Sequence, residues 1–210
     1  MTIRVARKKP DSYQHGDLKE ALIQAGLKLL TEQGVAAFSL RAAAQLAGVS
    51  HAAPYRHFAD KQALVAAIAE RGFRMLTASM REEVVASKAT RAIDRLYALG
   101  VGYVRFGTRH PDYLRVIFGS AVHDEAPAEL RAAAEEAYRE LRAVVEAGIA
   151  TGELRAGDPE LVSLSCWSLV HGLSALLSSG PVVLPSNPAA LRDLVVANLR
   201  LLGQGIALPK

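Results

Sequence analysis

Hydrogen-bond donors and cations cluster in one short segment of the chain, residues 39–61, which reads SLRAAAQLAGVSHAAPYRHFADK. The side chains of this segment that can bind base edges or phosphate oxygens include His51, Tyr55, Arg56, His57 and Lys61. Small residues such as Ala52 lie between them, at the spacing of one helix face. This mixture is typical of a surface that contacts DNA.

Local signals divide the segment into short helices. Ser39 can cap a first helix by accepting a hydrogen bond from the backbone N–H of Arg41 or Ala42, and Gly48 ends that helix. Ser50 then predicts the cap of a second helix over residues 51–58. Asp60 predicts the cap of the helix that follows. The pattern is that of a helix-turn-helix, whose second helix enters the major groove.

The second helix is too short to be stable alone, so it must be held by packing. Val49, Pro54 and Phe58 are its expected inward positions. Pro54 has no N–H and removes the first intrahelical hydrogen bond, a cost that we expect the helix to tolerate near its start. Tyr55 has two interpretations, a DNA contact or a core aromatic.

The segment and its flanks resemble the helix-turn-helix of TetR-type (TetR/AcrR) transcriptional regulators. The resemblance extends from about His15 to Gly72, and it includes a Tyr-x-His-Phe signature at residues 55–58. It implies base or groove contacts for Ser50, His51, Ala52 and Arg56, and phosphate contacts for Ser39, Arg41, Tyr55, His57 and Lys61. The two histidines could also be surface residues without a partner. Their spacing of six residues does not suit a metal pair.

The composition predicts an all-α protein. Of the 210 residues, 50% are hydrophobic, 22% are charged and 6% are aromatic, values that fit a globular chain rich in helix formers. We expect about nine helices: a three-helix DNA-binding domain, then a larger helical domain for ligand binding and dimerisation. The expected boundaries are 1–14 for a mobile basic arm, 15–75 for the helix-turn-helix domain and 76–210 for the larger domain.

Charge is distributed unevenly between these parts. Residues 1–75 contain 11 Lys or Arg and 6 acids, a net charge of +5, whereas the remainder carries −1. A basic first third fits a region that meets a polyanion, although a solvated basic surface would look the same. Tyr13 and His15 are candidates for DNA contact from the arm, or they only pack the start of the first helix.

Capping signals predict where several other helices begin and end. Asp17 and Glu20 have the spacing of a capping box for the first helix, and Gly34 is its expected stop. Asp158-Pro159 and Asn187-Pro188 predict the starts of the last two helices. Apolar periodicity predicts the helices at 17–33, 40–47, 51–58, from 61 to about 79, 90–108, after 111, 127–150, 159–179 and 188–202.

The sequence from Trp167 to Gly172 resembles the Trp-His-Gly motif of the WHG type of C-terminal domain. The family resemblance implies that a small molecule enters a helical pocket in this domain. Trp167 and His171 lie one turn apart, so they either line this pocket or form a structural stack in which His171 donates to a backbone carbonyl and Gly172 permits close packing. Further pocket candidates, which could also be core aromatics, are Tyr103, Phe106, Phe118 and Tyr138.

The last two helices are candidates for a homodimer interface. Residues 161–177 are apolar around much of the helix, and the last helix has one apolar face, so two helices from each chain would form a four-helix contact. Burial within one subunit is the alternative. Residues 161–177 are shorter than the roughly 20 residues of a membrane span, and we expect no membrane contact.

We therefore expect a cytoplasmic, ligand-responsive repressor that binds a palindromic double-stranded operator as a homodimer and is released by a small-molecule effector. We expect no enzyme, cofactor or metal. Gly100, Gly102 and Gly107 lack the spacing of a dinucleotide loop, and Cys166 is not placed against His171 as a nucleophile would be. Two alternatives remain: an all-helical ligand-binding protein or enzyme without DNA binding, and a structural dimer that binds proteins.

Overall fold

The computed structural model describes residues 15–119 and 126–204, and every regular element in these stretches is helical. The elements are α1 (His15–Ala37), α2 (Leu40–Leu46), a 3-10 turn (Pro54–Arg56), α3 (Lys61–Ser87), α4 (Ala92–Arg109), α5 (Pro111–Ile117), α6 (Ala128–Ala150), α7 (Pro159–Ser179) and α8 (Pro188–Gln204). The all-α prediction is confirmed. The arm at residues 1–14, with Tyr13, lies outside the described residues.

Helices α1, α2 and the first half of α3 share a small apolar core. Leu22 of α1, Phe38, Phe58 and Leu64 of α3 are each less than 4% exposed. Gly34 has φ 74°, ψ 173°, so the helical geometry of α1 is interrupted there. The predicted stop is therefore in the right place, because glycine adopts positive φ without steric cost.

The predicted capping box of α1 is wrong. The helix begins at His15, two residues before the expected cap at Asp17. Glu20 has other partners, since its carboxylate accepts a hydrogen bond from Gln24 Nε2 at 2.9 Å and forms an ion pair with Arg71 of α3. Glu20 therefore pairs with a residue 51 positions away in sequence and not with the N-terminus of its own helix.

Helix α3 connects the small N-terminal core to the rest of the molecule. It has 27 residues, begins at the cap Asp60 and ends at Lys88, which adopts the left-handed conformation. It packs against α1, α4, α5 and α6. One continuous helix thus belongs to both predicted domains, and the predicted boundary at 75/76 falls inside it.

Helix α4 lies at the centre of the C-terminal helices and contacts α3, α5, α6, α7 and α8. Its crossing with α3 is close, because a Cβ on Gly102 would lie 2.5 Å from Met80 Cα. A shared ion cluster also ties these helices together. The buried carboxylate of Glu83 on α3 pairs with Arg105 of α4 and, at 2.8 Å, with Arg192 of α8.

Helices α7 and α8 begin where the capping signals predict. Asp158 accepts a hydrogen bond from Glu160 N and Asn187 accepts one from Ala190 N, both at 2.9 Å. By length and composition α7 is one candidate for a membrane span among the described helices, but one face packs on α4, α6 and α8. The opposite face exposes Leu161, Leu164 and Leu176, so burial within the subunit accounts for only part of its apolar surface.

Candidate DNA-binding surface and ligand cavity

The first helix of the predicted helix-turn-helix forms as its caps require. Ser39 Oγ accepts a hydrogen bond from Ala42 N at 3.1 Å. At the other end Gly48 has φ +72°, which lets Val49 N donate to Ala44 O at 3.0 Å. The local hydrogen-bonding groups are therefore satisfied, and the chain reverses towards residues 50–58.

The second helix differs from the prediction. Residues 51–58 form consecutive turns around a single 3-10 turn at Pro54–Arg56, and no side-chain hydrogen bond from Ser50 caps them among the described residues. Because Pro54 has no N–H to donate, Ala53 N donates to Ser50 O instead, at 3.0 Å. This i to i+3 bond winds the chain more tightly than an α-helix would. The recognition segment is thus three residues of 3-10 helix within an irregular stretch.

Packing of this segment follows the predicted inward positions. Pro54 is fully buried, Phe58 is 3% exposed and Val49 is partly buried against the same core. Tyr55 is 62% exposed, so its interpretation as a core aromatic is wrong. The predicted contact residues with outward, exposed side chains are Ser39, Arg41, Ser50, His51, Ala52, Tyr55, Arg56 and Lys61.

His57 differs from the other predicted contact residues of this surface. His57 is half-buried, and its ring is tilted against Phe58 with centroids 6.3 Å apart. His57 therefore faces outward less than its neighbours Tyr55 and Arg56. His15, predicted as a contact from the N-terminal side, is the first residue of α1.

The surface is basic because its cations have no acidic partners. Within the described part of the chain, no carboxylate lies within 4.0 Å of Arg41, Arg56 or Lys61. Asp60 is the one acid in residues 33–69, and its carboxylate accepts a hydrogen bond from Ala63 N at 2.8 Å. A surface of exposed cations without counter-charges attracts phosphate groups.

An apolar cavity of about 110 Å³ lies between α3, α4, α6, α7 and the end of α5. Its lining consists of Phe73, Leu76, Met80, Leu96, Leu99, Gly100, Tyr103, Phe118, Ala134, Ala137, Tyr138, Leu141, Cys166, Trp167 and Val170. No charged side chain is among these described lining residues. The sequence predicted four of them, Tyr103, Phe118, Tyr138 and Trp167.

Two other predicted lining residues lie elsewhere. Phe106 is 1% exposed and packs in the core, with its ring against His110. His171 lies behind Tyr103 and lines a separate surface groove. Sequence reasoning missed the α3 residues Phe73, Leu76 and Met80, whose spacing marks a buried face but does not show that a cavity adjoins it.

A short hydrogen-bonded chain forms part of the cavity wall. Trp167 Nε1 donates to the Tyr103 hydroxyl at 3.2 Å, and this hydroxyl lies 2.9 Å from His171 Nδ1. Since the indole N–H only donates, the Tyr103 proton is available for His171, which then carries its own proton on Nε2. His171 makes this side-chain contact and, among the described residues, no hydrogen bond to a backbone carbonyl, so that the predicted carbonyl bond is wrong. So is close packing at Gly172, where a Cβ would meet nothing within 4 Å.

Burial keeps the polar groups of the wall neutral. It raises the pKa of the Tyr103 hydroxyl and of the Cys166 thiol, and it lowers the pKa of His171. Burial and the hydrogen bond to Glu160 raise the pKa of Tyr138 to about 12. At neutral pH the cavity presents an uncharged wall, which suits an apolar ligand.

Two family models match the chain, in agreement with this fold. The model described as "Bacterial regulatory proteins, tetR family" matches residues 22–68, and "Tetracyclin repressor-like, C-terminal domain" matches residues 96–199. Together they cover more than two thirds of the 210 residues. The chain belongs to the TetR family of transcriptional regulators.

Similar proteins agree with this assignment. The HTH-type transcriptional regulator BetI of Rhizobium meliloti is 27% identical over 191 residues, which are 89% of this chain and 92% of BetI. An HTH-type transcriptional repressor of Mycobacterium tuberculosis is 36% identical over 98 residues, 45% of this chain and about half (51%) of that protein. A solved protein of unknown function from Rhodococcus sp. RHA1 superposes with a TM-score of 0.77 at 31% identity, covering 94% and 100% of the two chains.

The predicted family and fold class are confirmed by these matches. The description of the C-terminal model does not mention a Trp-His-Gly motif, so the WHG type stays a prediction. The domain boundaries and the individual contact residues also stay predictions.

Proposed function

We propose that this protein is a repressor that binds a palindromic DNA operator as a homodimer and is released by a small molecule. The observation that carries the DNA-binding part is the group of exposed cations, Arg41, Arg56 and Lys61, around a helix-turn-helix; the described residues offer them no acidic partner. Repression is proposed because the Mycobacterium tuberculosis relative is described as a repressor.

The proposed DNA contacts divide into two groups. Ser50, His51, Ala52 and Arg56 contact bases or the groove, because the first three are exposed just before the 3-10 turn and Arg56 is exposed at its last position. Ser39, Arg41, Tyr55, His57 and Lys61 contact phosphates. Tyr55 supports this division, since its exposed hydroxyl can donate to a phosphate oxygen without any change in the core. Tyr13 and His15 would add contacts from the N-terminal side.

The proposed dimer forms through the outer faces of α7 and α8. Leu161, Leu164 and Leu176 of α7 are 63%, 50% and 47% exposed, and Leu201 and Leu202 of α8 are 56% and 39% exposed. Leucines so exposed along two adjacent helices favour burial against a second copy. A two-fold pair would present two recognition segments to successive turns of the major groove.

The proposed effector binds in the apolar cavity. An apolar cavity of roughly 150 Å³ binds benzene, so a cavity of about 110 Å³ accepts a group of similar or smaller size in this conformation. Phe73, Leu76 and Met80 belong both to the lining and to α3, the helix that begins at the DNA-binding surface. A ligand that displaces these side chains therefore changes the position of α3, and with it the affinity for DNA.

The experiment that tests DNA binding is a salt titration. The full-length protein is mixed with a fluorescent duplex from the promoter region beside its own gene, and the dissociation constant is measured from about 50 to 200 mM salt by anisotropy. We expect affinity to fall steeply, because each phosphate contact releases condensed counterions. Dimeric protein that shows no salt-dependent duplex binding at low salt would exclude the repressor and leave a ligand-binding protein without DNA.

A further inference from the structure

A groove on the surface adjoins the cavity and shares one wall with it. The groove has a volume of about 370 Å³ and lies between α5 and α7. Pro111, Leu114 and Arg115 line its α5 side, and His171, Ala175 and Ser178 line its α7 side. Phe118 lines both the groove and the cavity. Its ring thus lies between the apolar cavity and the surface groove.

Three aromatic rings contact the Phe118 ring, and a rotation of the Phe118 side chain would break these contacts. Its centroid lies 4.7 Å from that of His171, 5.5 Å from Trp167 and 5.8 Å from Phe73. Phe118 is also the C-cap of α5 and is only partly buried, so its side chain lies beyond the regular turns of α5. A ligand group that enters past it can take over the contacts with Trp167 and Phe73.

The chemistry of the groove differs from that of the cavity. Arg115 is the one charged side chain among the described residues that line the groove. Its guanidinium lies 3.7 Å from Asp112, and both side chains are at least half exposed, so this pair leaves the cation available. His171 presents a second donor when the Tyr103 hydroxyl donates to its Nδ1, because the ring proton is then on Nε2. A cation on the α5 side of the groove and a donor on the α7 side suit a carboxylate that lies between them.

We propose that Phe118 gates the cavity, and that the effector is an amphiphilic carboxylate whose apolar end passes Phe118 into the cavity while its carboxylate stays in the groove beside Arg115 and His171. The inference rests on the effector site of the proposed function. It adds the class of ligand and the route by which the ligand enters. The cavity size limits the inserted part to about one ring or a chain of similar volume.

Trp167 provides a direct measurement, because it is the single tryptophan of the chain and lines the cavity. Its emission is recorded on the full-length protein without DNA while hexanoate, 1-hexanol or acetate is added. We expect a saturable change in emission with hexanoate. The affinity for 1-hexanol, which lacks the charge, should be about tenfold lower. Acetate, which lacks the chain, should cause no saturable change. Equal affinity for hexanoate and 1-hexanol, or no saturable change with hexanoate, overturns the proposal.

Two matched substitutions test the groove. Arg115→Gln should lower hexanoate affinity by about tenfold and leave 1-hexanol unchanged, since one charge-assisted contact is lost. Arg109→Gln removes an exposed cation that does not line the groove, and it should change neither. If Arg115→Gln behaves as Arg109→Gln does, the carboxylate is not held in the groove.

Stopped-flow measurement of the same emission tests the gate. Phe118→Ala should raise the association rate of hexanoate, and Phe118→Leu, which keeps an apolar side chain, should give an intermediate rate. Rates equal to that of the wild type in the folded variants refute gating. These emission measurements contain no DNA, so the two proposals can fail separately. Hexanoate binding without duplex binding rejects only the repressor function. Salt-dependent duplex binding without hexanoate binding rejects only the gate and the ligand class.

Discussion

In the recognition segment, the exposed fraction of neighbouring side chains differs strongly, according to whether they face solvent or the core. Tyr55 and Phe58 are three residues apart and both aromatic, yet one is 62% exposed and the other 3%. The difference arises from the turn around Pro54, which carries the first ring outward and the second towards Leu64 and its neighbours. The contribution of each residue can therefore be separated by substitution.

Replacement of Tyr55 by Ala should weaken binding to specific and unrelated duplexes by a similar factor, about tenfold, as expected for one hydrogen bond to a charged phosphate. Lys61→Ala should act in the same direction and reduce the salt dependence. His51→Ala serves as the comparison, since a base contact changes the preference between sequences. Fluorescence anisotropy with two unrelated duplexes distinguishes these outcomes. Full affinity in Tyr55→Ala would contradict the phosphate contact.

The hydrogen-bonded chain at Tyr103 predicts a pH dependence of stability. The pKa of His171 is lowered by burial, so the unfolded chain binds its proton first when the pH falls. The stabilising effect of the neutral ring is present above about pH 6.5 and is lost below it, as pH falls towards the lowered value. The wild type should therefore melt at a lower temperature at pH 5 than at pH 8.

His171→Asn should reduce this difference, because Asn offers an oxygen to Tyr103 and does not titrate. His110 also has a pKa lowered, by burial and by Arg109, so part of the decline should persist. His51→Asn changes an exposed histidine and is the matched control. Thermal melts followed by circular dichroism test this, and an unchanged pH profile in His171→Asn would contradict it.

At the scale of helices, local signals predicted well wherever the partners are close in sequence. Ser39, Asp158 and Asn187 cap helices through hydrogen bonds that span two or three residues. The predictions were wrong where a partner distant in sequence or the backbone of a proline determines the local structure. Glu20 pairs with Arg71 of another helix. Pro54 converts an expected α-helix into a 3-10 turn. The aromatic lining was found from residue type, but only tertiary packing separates Phe106 in the core from Tyr103 at the cavity.

The N-cap of α3 gives a prediction at this scale. Asp60→Ala should lower the free energy of unfolding by about 1 kcal/mol, because Ala63 N loses its acceptor. Asp60→Asn keeps a capping oxygen while it removes the charge, and it should stay close to the wild type. Urea denaturation measures both midpoints. An equal loss in the two variants would mean that the carboxylate charge, and not the cap, provides the stability.

At the scale of the whole molecule, we expect the outer faces of α7 and α8 to determine the oligomeric state. Leu176→Glu places a charge within the exposed apolar face and should convert dimers to monomers at micromolar concentration, with weaker operator binding as a consequence. Val85→Glu is the control, since Val85 is 77% exposed on α3 and lies outside that face. Sedimentation velocity measures both masses. A dimeric Leu176→Glu would place the interface elsewhere.

The length of α3 determines how small a movement at the cavity is enough to shift the DNA-binding surface. Phe73 lies 12 residues from Lys61 on this helix, a distance of about 18 Å at 1.5 Å per residue. A tilt of about 5° at Phe73 would thus displace the Lys61 end by about 1.6 Å. In a two-fold dimer the displacements of both arms add, to about 3 Å against a half-site separation of about 34–36 Å. In the proposed mechanism, α3 thus converts the insertion of a single ring at the cavity into a changed spacing of the two DNA-binding surfaces.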